Sequence, residues 1–406
     1  MPILVLARFA ASVLSLAILS AAGYLLWSWQ AGELVRDASG AVYRTRDDWR
    51  LWTGLALLAW SFLGSFITPA LVARPDRRKT KPERGAGRMI ASPSGSSLYV
   101  ESHGPAAGPP IIFTHGWGMD STFWRYAKED LGDRFRLVAW DLAGLGRSRV
   151  HARHAVSLDA FATDLAAVID ATGRHAVVVG HSIGGITIQT LIRNHPELQS
   201  RLAGVVLLNT TYTNPLRTMV LSRLWLALQR PVLEPAMRLV VALQPLFWLL
   251  KWQSYLSGSS HLAHRIGFGK FVTRSQLQHS TLLFTRNPPG VLALGNLAMM
   301  RWDGAGALSR LRVPALVIGG DRDIVTKLEA SRTMVDESEL ATLQIVNDVN
   351  HMGPMERADL YNEMIGEFTL QVQPSATDDL AQPSRSIWHE DADGRTEERR
   401  PPTQLH

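Results

Sequence analysis

One serine sits in the setting that nucleophilic chemistry requires. Gly180-His181-Ser182-Ile183-Gly184 spells G-x-S-x-G between a β-branched run, Val177 to Val179, and a stretch of helical character, Ile183 to Asn194. The run reads as a strand buried on both faces of a parallel sheet. Small residues two before and two after the serine let the backbone turn tightly, which leaves the Ser182 hydroxyl exposed over the sheet edge. The helix start adds a positive dipole end and free N–H groups near any oxyanion. Acyl transfer needs two fixed N–H donors for that oxyanion. Ile183, after the nucleophile, offers one through its main chain. The loop His115-Gly116-Trp117-Gly118, which follows the apolar run Ile111 to Thr114, offers Trp117 as the other.

Three motifs follow in chain order: HG-x-G at His115, D-x-x-G-x-G-x-S from Asp141 to Ser148, and G-x-S-x-G around Ser182. Over about Ser97 to Leu370 this order resembles the α/β-hydrolase superfamily. The resemblance implies an α/β-hydrolase fold: a mostly parallel central sheet flanked by helices, with an inserted helical cap. It also implies the chain order serine, acid, histidine. The superfamily pattern G-x-x-D, counted from Gly320, selects Asp323, and Asp321 reads as a solvated or turn-forming neighbour. His351, in Asn350-His351-Met352 after the last strand, is the implied general base. Asp141 is implied to be structural, and His115 and His181 to pack or orient backbone. A serine at this turn disfavours epoxide hydrolase and dehalogenase chemistry, which in this fold starts from an aspartate.

No cofactor is expected. Gly144 and Gly146 lack the third glycine and the ribose-binding acid of a dinucleotide site. No metal site is expected either: His261 and His264 could share a helix face, but without a third ligand they read as surface histidines. The absence of cysteine excludes disulfides and thiol catalysis.

The elements that must position these residues are legible as apolar runs. Strands are expected at 98–101, 111–114, 136–140, 202–208, 313–318 and 343–346. Ser157 to Thr172 carries Leu158, Phe161, Leu165, Val168 and Ile169 at helical spacing, a stripe that faces a core. Tyr212 to Asp303 is far longer than a strand-to-helix crossover needs. It reads as a helical cap (212–303) inserted between two parts of the catalytic core, 98–211 and 304–370. Leu221 to Leu228 and Met237 to Leu250 are strongly apolar, and Glu234 and Asp303 are the cap's sole acids among many arginines and lysines. Such a composition suits either an interfacial surface against anionic lipid or a self-burying pocket wall. Both favour an apolar acyl or alkyl substrate.

Ahead of the core, Phe9 to Trp29 and Leu51 to Ala73 contain no charged residue, and each is long enough to cross a ~30 Å hydrocarbon layer as a helix. Trp27 and Trp29 end the first segment, and Trp49 and Trp52 begin the second, as an aromatic belt at one membrane face would. Arg74, Arg77, Arg78, Lys79, Lys81, Arg84 and Arg88 follow, which places the rest of the chain in the cytoplasm by the positive-inside rule. Residues 1–22 also fit a cleaved signal peptide, and the second segment would then still cross inward. The division is thus a two-helix anchor (1–73), a basic mobile linker (74–97), the capped core, and a polar tail (371–406) expected to be disordered. The net charge of +6 falls largely on the linker and cap, and no nucleic-acid partner is expected.

Together these residues lead to the expectation of a membrane-anchored serine hydrolase acting on a carboxylic ester, with membrane lipids around it. The substrate would be a small ester or a lipid-derived one, such as a monoacylglycerol or lysolipid. Carbon–carbon, amide and thioester hydrolysis and perhydrolysis use the same triad and stay open. So does a non-catalytic binding module at the membrane.

Overall fold

A nine-stranded sheet forms the centre of the chain, and two long apolar helices precede it. The computed structural model describes residues 2–152, 155–173, 175–373, 388–390 and 396–398. The first helices are α1 (Pro2–Ala31) and α2 (Asp48–Val72), joined by a hairpin of β1 (Glu33–Arg36) and β2 (Val42–Thr45). Leu6–Ala31 and Asp48–Val72 are both long and apolar enough to cross a membrane.

The strands of the central sheet are β3 (Ala86–Ala91), β4 (Ser96–His103), β5 (Pro110–Thr114), β6 (Arg136–Trp140), β7 (Arg149–Val150), β8 (Ala176–His181), β9 (Leu202–Leu208), β10 (Ala315–Gly320) and β11 (Ala341–Val346). Their order is β11-β10-β9-β8-β5-β6-β4-β3, with β7 beside β4. The six from β11 to β6 run parallel, while β4 and β3 close the sheet antiparallel. Successive side chains of a strand point to opposite faces. Ile111, Phe113, Val177, Val179, Val206 and Leu208 therefore enter one core, and Ile112, Val178, Val205 and Leu207 enter the other. Helices on both faces explain why the strands read as continuous apolar runs rather than alternating ones. On one face lie α4 (Leu158–Thr172) and α5 (Ile183–Asn194), and on the other α3 (Arg125–Leu131) and α15 (Ala358–Val372). Ser157 caps α4 by accepting the Ala160 N–H at 3.2 Å.

The cap comprises α6 (Pro215–Thr218), α7 (Ser222–Leu228), α8 (Glu234–Ala242), α9 (Gln244–Leu256), α10 (Ser259–Arg265), α11 (Arg274–Arg286) and α12 (Pro289–Arg301). Its most apolar part is bent by 97° between Ala242 and Gln244. Two short helices, α13 (Leu328–Asp336) and α14 (Gly353–Glu356), flank the last strand.

Two expectations are corrected here. The segment expected to be a mobile linker is instead held along the cap and the α/β core. Arg74 N–H donates to Val272 O at 3.0 Å, and Asp76 Oδ1 accepts the Ser275 N–H at 2.9 Å. Arg84 reaches both Asp120 (2.7 Å) and Asp141 (3.1 Å). Ala86–Ala91 then adds β3 to the sheet edge. Carboxylates and open main-chain groups on the core supply partners that composition alone does not reveal. The second correction concerns His261 and His264, which are 0% and 5% exposed. His261 packs on the Tyr255 ring of α9 and His264 on the Phe284 ring of α11, while α1 and α2 also pack on α10. The tail expected to be disordered lies outside the described residues, save for the end of α15 and an antiparallel pair, Trp388–Glu390 with Thr396–Glu398.

Candidate active site

The turn from β8 into α5 holds Ser182 in a conformation that few side-chain-bearing residues adopt, with φ +55° and ψ −115°. Two glycines make the turn possible. A Cβ on Gly180 would lie 2.4 Å from the Gly184 carbonyl carbon, and one on Gly184 would lie 2.4 Å from the Thr114 oxygen. The turn therefore presses against both its own helix and the neighbouring strand, and the serine projects above the parallel strands.

Three distant segments meet at this point. Ser182 Oγ lies 2.9 Å from His351 Nε2, and His351 Nδ1 lies 2.9 Å from Asp323 Oδ2. All three residues are less than a tenth exposed. The polar donors around Asp323 set its charge. Its Oδ1 accepts the Val325 and Thr326 N–H groups, each at 2.8 Å. Its Oδ2 accepts from Thr326 Oγ1 (2.8 Å) and Asn209 Nδ2 (3.1 Å) besides His351. Burial alone would push this carboxyl up, but His351 and the ring of donors outweigh it and hold it below the usual carboxylate range. Asp321 stands on the exposed side of the same loop, where Oδ1 accepts the Val349 N–H at 3.2 Å.

The two loops that flank the serine are pinned from below. His115 donates from Nδ1 to Gly116 O at 2.9 Å and accepts the Leu142 N–H on Nε2 at 3.0 Å. His181 donates from Nε2 to the main-chain oxygen of His351 at 2.9 Å and stacks on Phe123, with centroids 5.0 Å apart. Burial first, and then the nearby His351, push His181 down to about 3, so it is a neutral spacer beneath the His351 ring. Trp117 sits in the first loop, its indole donating to Leu292 O of α12 at 3.1 Å. Its ring packs against Gly295, where a Cβ would approach within 2.0 Å. The loop is thus locked to the cap. Ile183 opens α5, and its N–H precedes the first helical hydrogen bonds. Trp117, Ser182 and His351 line one cavity together with Gly116, Met119 and Phe284.

A model of the alpha/beta hydrolase fold family matches residues 109–358. The chain belongs to the α/β-hydrolase family. The "Putative carbamate hydrolase RutD" of Azorhizobium caulinodans is 28% identical over 276 residues, 66% of this chain and 94% of that protein. The pimeloyl-[acyl-carrier protein] methyl ester esterase of Vibrio cholerae is 34% identical over 109 residues, 27% of this chain and 40% of that one. The esterase EaEST from Exiguobacterium antarcticum superposes with a TM-score of 0.57 at 18% identity, covering 70% of this chain and 99% of that structure, a likeness of fold. In this α/β-hydrolase the family match begins downstream of both apolar helices.

Several residues of the hydrolase site carry no motif of their own. Asn209 ends β9 with φ +42°, donates to Asp323 and accepts the Tyr361 hydroxyl at 2.7 Å. Neither Asn209 nor Thr326 belongs to a sequence motif, and each matters through a contact with Asp323 that only the fold creates. Asn350 ties the acid loop to the base loop: its Oδ1 accepts the Ile324 N–H at 3.1 Å and the His351 N–H at 2.8 Å. Arg8, from α1, lines the same cavity as Ser182. In the sequence it merely precedes an apolar segment.

Proposed function

We propose that this α/β-hydrolase is a membrane-anchored serine hydrolase that cleaves a carboxylic ester with an apolar acyl or alkyl part. The reading rests above all on the relay of two 2.9 Å contacts from Ser182 to His351 to Asp323. Ser182 attacks the ester carbonyl while His351 takes its proton on Nε2. Asp323, ionised by its five donors, keeps the proton of the resting imidazole on Nδ1 and stabilises the imidazolium that forms. The Trp117 and Ile183 amides hold the oxyanion. His351 then protonates the leaving alcohol and activates the water that releases the acyl group.

The membrane part of the proposal draws support from α1, α2 and the basic residues beyond them. Phe62, Phe66 and Leu71 of α2 are exposed, as are Leu239, Leu246 and Leu249 of the cap. An apolar surface shared by anchor and cap suits a catalytic domain seated against the inner leaflet. Retention of α1 is favoured over its removal as a leader, since Ser15 Oγ donates to Gln253 O of the cap at 3.1 Å. The anchor places the enzyme among amphiphilic esters, and the esterases among its relatives agree with ester chemistry.

A fluorophosphonate probe tests the proposal on the full chain in detergent micelles. Wild type should form an adduct at Ser182 and turn over p-nitrophenyl esters, and Ser182→Ala should do neither. An unlabelled wild-type protein that still folds would overturn the hydrolase reading in favour of a binding module.

A further inference from the structure

The cavity that holds Ser182 contains one permanent charge, and it arrives from outside the family-matched region. Arg8 of α1 lies in the wall with Ser182, His351, His264, Phe284 and Asn296. Its guanidinium carbon sits 3.5 Å above the centre of the Phe284 ring. Its Nε is buried with no acceptor, and among the described residues no carboxylate pairs with it or lines the cavity. A second basic side chain stands behind the first. Lys251 Nζ is 4.7 Å from the same ring and gives its hydrogens to the Phe284 and Asn287 carbonyls at 2.8 Å each. Burial, and then the charge of Arg8, hold the Lys251 amine and the His264 imidazole well below their ordinary ranges.

Ring contact offsets part of the cost of a half-covered guanidinium, and carbonyls offset part of the cost of the lysine. Neither replaces an anion. A guanidinium is a planar fork that matches the paired oxygens of a carboxylate or phosphate. The catalytic Asp323 cannot serve, because it lies behind His351 with its oxygens fully engaged. The missing anion therefore has to enter through the cavity, and what enters the cavity is the substrate.

Resting on the hydrolase reading above, we infer that Arg8 is a specificity-determining residue that receives an anionic oxygen group of the substrate. The preferred ester then carries a carboxylate or a phosphate on its acyl or alcohol side, joined to an apolar stretch. The anchor helix so completes the substrate site as well as fixing the protein to the bilayer.

The test compares matched esters on the full-length protein in neutral detergent micelles. Mono-p-nitrophenyl adipate is paired with p-nitrophenyl hexanoate, and 1-acylglycerol 3-phosphate with 1-acylglycerol. Wild type should favour at least one anionic member by roughly 10- to 100-fold in kcat/KM, the range of a charge-assisted hydrogen bond. Arg8→Gln should collapse that ratio to about one, mainly by raising KM for the anionic ester. Arg8→Lys, which keeps the charge without the fork, should restore part of it. A wild-type ratio near one in both pairs, or a ratio unchanged in Arg8→Gln, would overturn the inference. So would a preference that vanishes when phosphatidylglycerol is added, since Arg8 would then be pairing with a headgroup of the bilayer. Fluorophosphonate labelling separates the two readings. Labelled Ser182 with a flat ratio defeats the role of Arg8 alone, while unlabelled wild type defeats the hydrolase reading beneath it.

Discussion

Replacing Asp323 with asparagine tests the site more sharply than removing the nucleophile, because the shape is kept and only charge and hydrogen-bond direction change. Asparagine has one acceptor oxygen where the carboxylate has two. Facing the Val325 and Thr326 N–H groups, both at 2.8 Å, that oxygen would keep the loop closed. The NH₂ would then point at His351 Nδ1 and confront Asn209 Nδ2, itself a donor. His351 would respond by accepting on Nδ1 and carrying its proton on Nε2, where it cannot take one from Ser182. The lost charge-assisted bond is worth about 1.5–3 kcal/mol. Leaving the imidazolium of the transition state buried without a counter-charge adds about 2–3 kcal/mol. Together these raise the barrier by about 4–6 kcal/mol, a loss of roughly 10³- to 10⁴-fold in kcat. The assay is p-nitrophenyl ester turnover, with the rate of fluorophosphonate labelling as a second measure and thermal unfolding as a check on the fold. A folded Asp323→Asn protein that loses less than about tenfold in both rates would refute the assignment of this acid.

Two further predictions concern stability. Asp164 on α4 is fully buried, and its Oδ2 has no partner while Oδ1 accepts the Ser94 hydroxyl at 2.5 Å. Burial pushes its pKa up to about 6, with the Ser92 and Ser94 hydroxyls opposing. A carboxyl whose folded pKa exceeds its unfolded one binds more protons in the native state between the two values, so stability is highest below about pH 4 and falls as pH rises through 6. The cost at neutral pH is about 3 kcal/mol. The unfolding temperature of Asp164→Asn minus that of wild type should therefore climb by several degrees from acid to neutral pH, and a flat difference would contradict it. On the two apolar helices, a Cβ on Gly64 would lie 2.2 Å from Ser257 O, whereas one on Gly23 meets nothing within 4 Å. Gly64→Leu should lower the unfolding temperature in micelles while Gly23→Leu leaves it nearly unchanged, and equal values would mean that α2 does not seat on the cap.

What the chain discloses before folding depends on whether the cause is local. The β8–α5 turn is local: a β-branched run, two glycines and an amphipathic helix fall within twenty residues, and the helix spans Ile183–Asn194 as expected. The strands at 136–140 and 202–208 are apolar runs with polar ends, and their limits agree with the observed β6 and β9. The edge strand β3 has no such run, since Ala-Gly-Arg-Met-Ile-Ala gains its order from pairing with β4. The burial of His261 and His264 has a related cause, since it comes from packing against neighbouring helices, with Tyr255 of α9 and Phe284 of α11 among the partners, and no spacing within α10 encodes that. Asn209 and Thr326 matter only because folding brings them to Asp323.

The same long-range contacts argue against treating the first hundred residues as a detachable tether. Asp120 and Asp141 lie near the His115–Gly118 loop, one N-capping the turn at Ser121 and the other accepting the Ser121 N–H at 2.7 Å. Both carboxylates are buried, and Arg84 is the cation that meets them. A chain beginning at the family-matched region would leave two buried acids side by side without that cation, an arrangement that burial and mutual repulsion both penalise. It would also strip away the two helices that pack on α9 and α10 of the cap. Through Arg8, α1 reaches the wall of the cavity that holds Ser182. Cap residues line that cavity and the two apolar helices pack on the cap, so α1 and α2 belong to the fold of the site as much as the strands beneath it.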